Sequence, residues 1–214
     1  MHIKKLIISL LISFLLLPAL GAAEGMDKDK AVSSLQHAYE KITSIEADFT
    51  QEAFTKSLGR AQTSEGRVYF KKPGKMRWTY KKPSNDEIVS DGRTIWLFQG
   101  DLNQVIEKPV EEAASLAADF LSGIGDLKKD FDIDSSTGTK DGFRIVLRPK
   151  AQQPNVKKIT LEVNGETLLV EKTIVEDLFG NETRVMLRNM KVNPPLKDSL
   201  FEFTPPRGSS IVRP

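Results

Sequence analysis

Histidine and cysteine carry most nucleophilic, redox and zinc chemistry, and this 214-residue chain has two histidines, His2 and His37, and no cysteine. Thiol exchange is therefore excluded. His2 sits in an apolar leader, so a single histidine is left, too few for most nucleophilic triads and almost every zinc site. His37 follows Gln36 within an amphipathic stretch and reads as a surface or boundary residue, not a base. The run Asp130-Phe131-Asp132-Ile133-Asp134 has the alternating acids of a calcium loop. An EF-hand requires Gly at its sixth position and Glu at its twelfth. Ser135 and Asp141 stand there, so Phe131 and Ile133 are expected inward and the aspartates in water. Asn181-Glu182-Thr183 fits a glycosylation sequon, but after Gly180 it reads first as a hairpin turn. No catalytic residue, metal or cofactor is expected.

No Gly-rich phosphate loop is present, and the densest positive patch is Lys71, Lys72, Lys75, Arg77, Lys81 and Lys82. Phe70, Trp78 and Tyr80 are interleaved with it, a mixture that can bind single-stranded nucleic acid. Strand alternation separates the two kinds of residue. Val68 and Phe70 share one face of a strand, and Met76, Trp78 and Tyr80 share one face of the next. Most of the cations fall on the other side or in the turn, so nucleic acid is not the expected partner. Lys72 is the exception, because it shares the parity of the apolar face, where a charge needs a partner.

These residues must be held by a fold, and the periodicity says which. Residues 27–44 place Val32, Leu35, Tyr39 and Ile42 at helical spacing. The period then becomes two, with Ile45, Ala47, Phe49 and Gln51 on one face of a first strand. Short strands are expected at 64–71, 75–82, 87–90, 93–99 and 103–107, separated by turns such as Pro73-Gly74 and Asp91-Gly92. An Ala- and Leu-rich second helix covers 111–122, with Leu116, Phe120 and Leu121 among small residues. Further strands are expected at 130–134, 142–149, 156–163, 167–178, 181–192 and 200–204. The even spacing predicts consecutive antiparallel hairpins rather than βαβ units. The fold class is thus α+β, mainly β: a curved antiparallel sheet with two or more helices on one face. Such a sheet either closes into a barrel or leaves a concave face needing cover. The helices are its candidate cover, over either a solid core or a cavity.

Lys4 and Lys5, an apolar run from Leu6 to Leu17, and Gly21-Ala22-Ala23 form the three-part layout of a secretory signal peptide. The run is too short to span roughly 30 Å of hydrocarbon. Residues 1–23 are therefore expected to be removed, leaving one soluble exported domain, 24–214, with no lipid-accepting cysteine. The chain has 31 Lys and Arg against 29 Asp and Glu. Without Lys4 and Lys5 it is near neutral, which again argues against nucleic acid.

Asp48-Phe49-Thr50-Gln51 after the first helix resembles the periplasmic outer-membrane lipoprotein carrier family, LolA. So do the segment from Lys72-Pro73-Gly74 to Trp78, then Val89-Ser90-Asp91-Gly92 with Ile95-Trp96, and the ending from Phe201 to Gly208. Each piece alone is weak, but the four occur in order and spacing over essentially the whole mature chain. The resemblance implies an incomplete, half-open barrel of about eleven strands, closed by a helical lid. It implies a periplasmic, monomeric, non-enzymatic carrier of acylated lipoproteins. Its partners would be an inner-membrane ABC lipoprotein-release transporter and an outer-membrane receptor. The family's lid latch is an arginine that bonds backbone carbonyls of the lid helices, and Lys72 stands at its position. Lysine lacks the planar five-donor fork. The resemblance puts Tyr39, Phe120 and Leu121 on the lid side of this contact and Met76 inside the cavity. Phe49, Val68, Phe70, Trp78, Trp96 and Phe98 complete the candidate cavity lining. Two other readings compete: a half-barrel sensor or carrier of another amphiphile such as a glycolipid, and a two-carboxylate hydrolase. Most acids alternate with apolar residues and should face water, which weighs against the hydrolase.

Overall fold

The computed structural model describes residues 27–110, 126–151 and 156–213. Its first helix, α1 (Lys28–Glu40), starts where Asp27 accepts a hydrogen bond from Lys30 N at 3.1 Å. This satisfies one of the amides that a helix start leaves open. The helix buries Ala31, Val32, Leu35 and Tyr39, the face expected from the sequence. It ends at Glu40, short of the expected residue 44. Ile42 and Thr43 are β-branched and favour extended backbone, and Thr43 N donates to Asn193 Oδ1 at 2.7 Å.

Six strands follow: β1 (Ser44–Thr55), β2 (Arg60–Lys71), β3 (Lys75–Lys82), β4 (Glu87–Asp91), β5 (Thr94–Gln99) and β6 (Gln104–Pro109). The expected second helix, 111–122, with Phe120 and Leu121, lies outside the described residues. A single helical turn, α2 (Leu127–Asp130), leads into β7 (Phe131–Thr139) and β8 (Gly142–Pro149). Then come β9 (Lys158–Asn164), β10 (Val170–Glu176) and β11 (Glu182–Val192). A 3-10 turn, Asp198–Phe201, precedes a short β12 (Ser210–Val212).

All twelve strands form one open sheet in the order β12-β6-β5-β4-β3-β2-β1-β11-β10-β9-β8-β7. The chain enters at β1 in the middle and steps outward by antiparallel hairpins to β6. It resumes at the far edge with β7 and steps back to β11, which pairs with β1. The expected architecture of antiparallel hairpins with helices on one face is what forms. It has twelve strands where about eleven were expected.

The extra strand comes with a correction at the C-terminus. Residues 200–204 do not form the expected strand. Phe201 closes the 3-10 turn and is buried, and the next ladder starts only at Ser210, parallel to β6. Phe201 and Phe203 alternate as in a strand, but Pro205 and Pro206 have no backbone N–H to give a ladder. In the Asp130–Asp134 run Phe131 is buried, Ile133 packs on the core, and Asp134 pairs with Arg148 at 2.8 Å.

Directly opposed residues of an antiparallel pair share a face, so the register sorts the side chains. One face carries α1 and the main core. Ile45, Ala47, Phe49, Val68 and Phe70 of β1 and β2 join Phe143, Ile145, Leu147, Ile159, Leu161 and Val163 of β8 and β9 there. Val32 and Leu35 of α1 complete that core. This is the inner face.

Candidate functional site

The inner face is completed at one end by a contact between sheet and helix. Lys72 follows β2, and its backbone N donates to Thr43 O at 2.9 Å. Its Nζ reaches across to donate to Tyr39 O, in the last turn of α1, at 2.5 Å. A cation is well placed there, because a helix C-terminus has open carbonyls and a negative dipole end. Burial holds the Lys72 ammonium below the usual lysine range, opposed by the charge of Glu40. Tyr39 is also held at its other end, where its hydroxyl accepts from Val170 N at 3.0 Å. The inner-face charge expected to need a partner thus meets a helix carbonyl, and Lys72 and Tyr39 come together.

From this contact an aromatic row runs along the same face. Phe70 opposes Met76, Val68 opposes Trp78, and Gly66 opposes Tyr80. Phe49 opposes Gly66 from the other side. Its ring lies over the glycine, where an added Cβ would stand 2.7 Å from Phe49 Cε1 and 2.1 Å from Thr79 O. That space lets Phe49 meet Trp78 edge to face at 4.9 Å and Tyr80 at 5.0 Å, while Phe70 meets Trp78 at 5.7 Å. Such pairs contribute about 0.5–1.5 kcal/mol beyond the area they bury. Phe49, Val68 and Phe70 are fully buried, whereas Met76, Trp78 and Tyr80 are only partly covered. The exposed part of this row is therefore on β3.

Two expected lining residues lie elsewhere. Ile88 opposes Trp78 on β3 and Leu97 on β5, which continues the inner face through Leu97 and Ile95. Trp96 and Phe98 oppose Val89 and Glu87 and so point to the outer face. There their rings lie against Phe203, at 6.1 and 6.4 Å. The C-terminal segment covers this outer patch: Arg77 donates to Leu200 O at 3.1 Å, and Lys71 donates to Leu196 O at 2.7 Å. Ile95-Trp96-Leu97-Phe98 is apolar at every position, so alternation could not choose between its faces.

Sequence reasoning also missed Tyr80, Ile88, Ile95 and Leu97 as lining. The parity of Ile88, Ile95 and Leu97 with Trp78 becomes visible only once strands are paired, whereas Tyr80 shares the Trp78 face by alternation alone. Tyr80 is the polar member: its hydroxyl donates to Gln51 Oε1 at 3.0 Å, and burial pushes its phenol up to about 12. His37 is exposed beside Glu40. Among the described residues no cluster of three or more His, Cys, Asp or Glu side chains could hold a metal. The arrangement is suited to holding apolar matter through dispersion and water exclusion.

A family model described as the outer membrane lipoprotein carrier protein LolA matches residues 40–204. The outer-membrane lipoprotein carrier protein of Methylobacillus flagellatus is 31% identical, covering 85% of this chain and 88% of its own. That of Methylococcus capsulatus is 34% identical, covering 84% and 86%. Among solved structures, an uncharacterized conserved protein from Thermus thermophilus aligns with a TM-score of 0.54 at 13% identity. It covers 87% of this chain and 98% of its own, a likeness of fold alone.

Proposed function

The chain belongs to the outer-membrane lipoprotein carrier family, LolA, and from that premise we propose that its half-barrel binds the acyl chains of lipoproteins on the β3 side of the inner face and ferries them between membranes. It is a lipoprotein carrier. Each buried methylene contributes about 0.8 kcal/mol, so exposing one ~16-carbon chain to water costs on the order of 12 kcal/mol. Lipoproteins released from a membrane therefore require an apolar host of similar depth. The host must also yield its cargo, so its empty state has to compete with the cargo for the same surface.

The observation that carries the reading is the Lys72–Tyr39 contact at the margin of the aromatic row. It supports a latch: one donor on the sheet holds the end of α1 while the row is empty, and loading shifts the helix and breaks the bond. Met76 and Trp78 are the first cargo contacts in this reading, with Ile88, Ile95 and Leu97 extending the surface. Phe120 and Leu121 belong to the lid on the strength of the family resemblance. The cycle involves no covalent chemistry. The sending partner is an inner-membrane ABC transporter and the receiving one an outer-membrane receptor. Residues 1–23 act as an export signal, 24–214 as the carrier domain, and the carrier works as a monomer in the periplasm. Among the described residues no helix is long and apolar enough to cross a membrane.

The test is native mass spectrometry of the mature protein with a triacylated lipoprotein fragment. A one-to-one complex that disappears when the fragment is deacylated is the expected result. No complex with the acylated fragment would leave the inner face as ordinary core and refute the proposal.

A further inference from the structure

The end of the sheet remote from the latch is built from two adjacent hairpin tips. β1 and β2 are joined by Lys56-Ser57-Leu58-Gly59, and β10 and β11 by the turn 177–181. The tips are tied together, since β1 pairs with β11, and Lys56 N donates to Asn181 Oδ1 at 3.0 Å. The Lys56 stem also crosses Gly180, where an added Cβ would stand 2.9 Å from Lys56 Cδ. From this joined end project Leu58, Leu178 and Phe179, which are 69%, 61% and 77% exposed.

The charged side chains around them carry a small excess of cations: Lys56, Arg60, Lys157, Lys158 and Arg184 against Glu52, Glu176, Asp177 and Glu182. Asp177 remains a carboxylate, with its oxygens directed into its own turn, accepting from Phe179 N and Asn181 N at 2.8 Å. Glu176 is held by Lys157 and Lys158, and Glu52 and Glu182 by Arg184. Lys56 and Arg60, both exposed, have no ion pair among the described residues. Three projecting apolar side chains with two free cations at one hairpin end are the elements of an interfacial membrane contact, in which apolar groups enter the headgroup boundary and cations meet lipid phosphates.

We propose that these paired tips are a docking point for the surface of an anionic phospholipid bilayer, separate from the cargo site. The shape favours a bilayer over a protein partner. A stable protein interface covers about 800 Å² on each side and has a packed centre, which three side chains on convex turns do not provide. A bilayer accepts single protruding side chains without a matching pocket. The contact is weak and reversible, as suits a carrier that must leave.

The experiment is co-sedimentation of the purified protein with phosphatidylethanolamine–phosphatidylglycerol vesicles, and with phosphatidylcholine vesicles for comparison. The wild-type protein binds the anionic vesicles in preference to the neutral ones, and added salt reduces the binding. Leu178→Ser with Phe179→Ser lowers binding by about tenfold or more, and Lys56→Gln with Arg60→Gln removes the preference for anionic lipid. All four side chains are exposed, so melting temperatures stay at the wild-type value, and binding of the acylated fragment is unchanged. Equal binding by wild type and the apolar variant would overturn the proposal. So would wild-type protein that ignores bare vesicles but binds membranes containing their proteins. Loss of fragment binding in the tip variants would assign the tips to the cargo site and overturn it too.

Discussion

Lys72 holds α1 through one donor and one carbonyl, and that carbonyl also accepts from Ile42 N at 3.1 Å. Removing the lysine therefore leaves no orphaned acceptor, so Lys72→Leu is expected to cost only about 1 kcal/mol of stability. Its effect belongs to the transfer cycle: circular dichroism stays native while lipoprotein transfer slows. Transfer at the wild-type rate would remove Lys72 from the latch. The buried phenols give a second residue-level prediction, at alkaline pH. Burial raises the Tyr39 phenol, and it raises Tyr80 from 10.0 to about 12. Above pH 10 the unfolded chain releases these protons while the folded chain keeps them. Stability that is complete below pH 10 is then lost as pH rises toward 12. Lys72, with its lowered value, acts in the opposite sense below 10.5. Urea midpoints measured across this range should fall with pH, and Tyr80→Phe should flatten the fall. An unchanged slope in that variant would show that Tyr80 is not buried as described.

At the scale of elements, the sheet is covered by different pieces on its two faces. On the inner face α1 brings Val32 and Leu35 down on β7 and β8. On the outer face the cover is the segment after β11, fastened by Lys71 and Lys75 to Asp198 and by Arg77 to Leu200 O. Arg77 is itself fixed by Glu87 at 2.5 Å. Phe201 anchors this strap, and truncating a buried Phe typically costs 3–5 kcal/mol. Phe201→Ala is therefore expected to lower the denaturation midpoint by an amount corresponding to about 3 kcal/mol or more. Because it lies on the face away from the cargo row, affinity for the acylated fragment should hold at temperatures where the variant is folded. A fall in that affinity would show that the two faces are coupled.

At the scale of the whole molecule, the division into two faces separates the two tryptophans, Trp78 inside and Trp96 outside. Acyl cargo should shift the emission of Trp78 alone. Trp96→Phe should retain the cargo-induced change and Trp78→Phe abolish it; the reverse pattern would put the cargo on the wrong face. Much of this molecule was legible in the chain alone. Helix α1, the hairpin ladder and the inward parity of Phe49, Val68, Phe70, Met76 and Trp78 follow from local periods of 3.6 and 2, which are set by backbone geometry within a few residues. The motifs around Lys72 were equally local. Two things waited on the tertiary structure: the outward turn of Trp96 and Phe98, and the role of residues 196–203 as a strap where 200–204 was expected to be a strand; the meeting of Lys72 with Tyr39 was implied by the family resemblance. Each depends on which distant segment arrives to cover a surface. A run such as Ile95-Trp96-Leu97-Phe98 is apolar on both faces, and only the pairing of β5 with β4 decides which residues join the inner face and which meet Phe203.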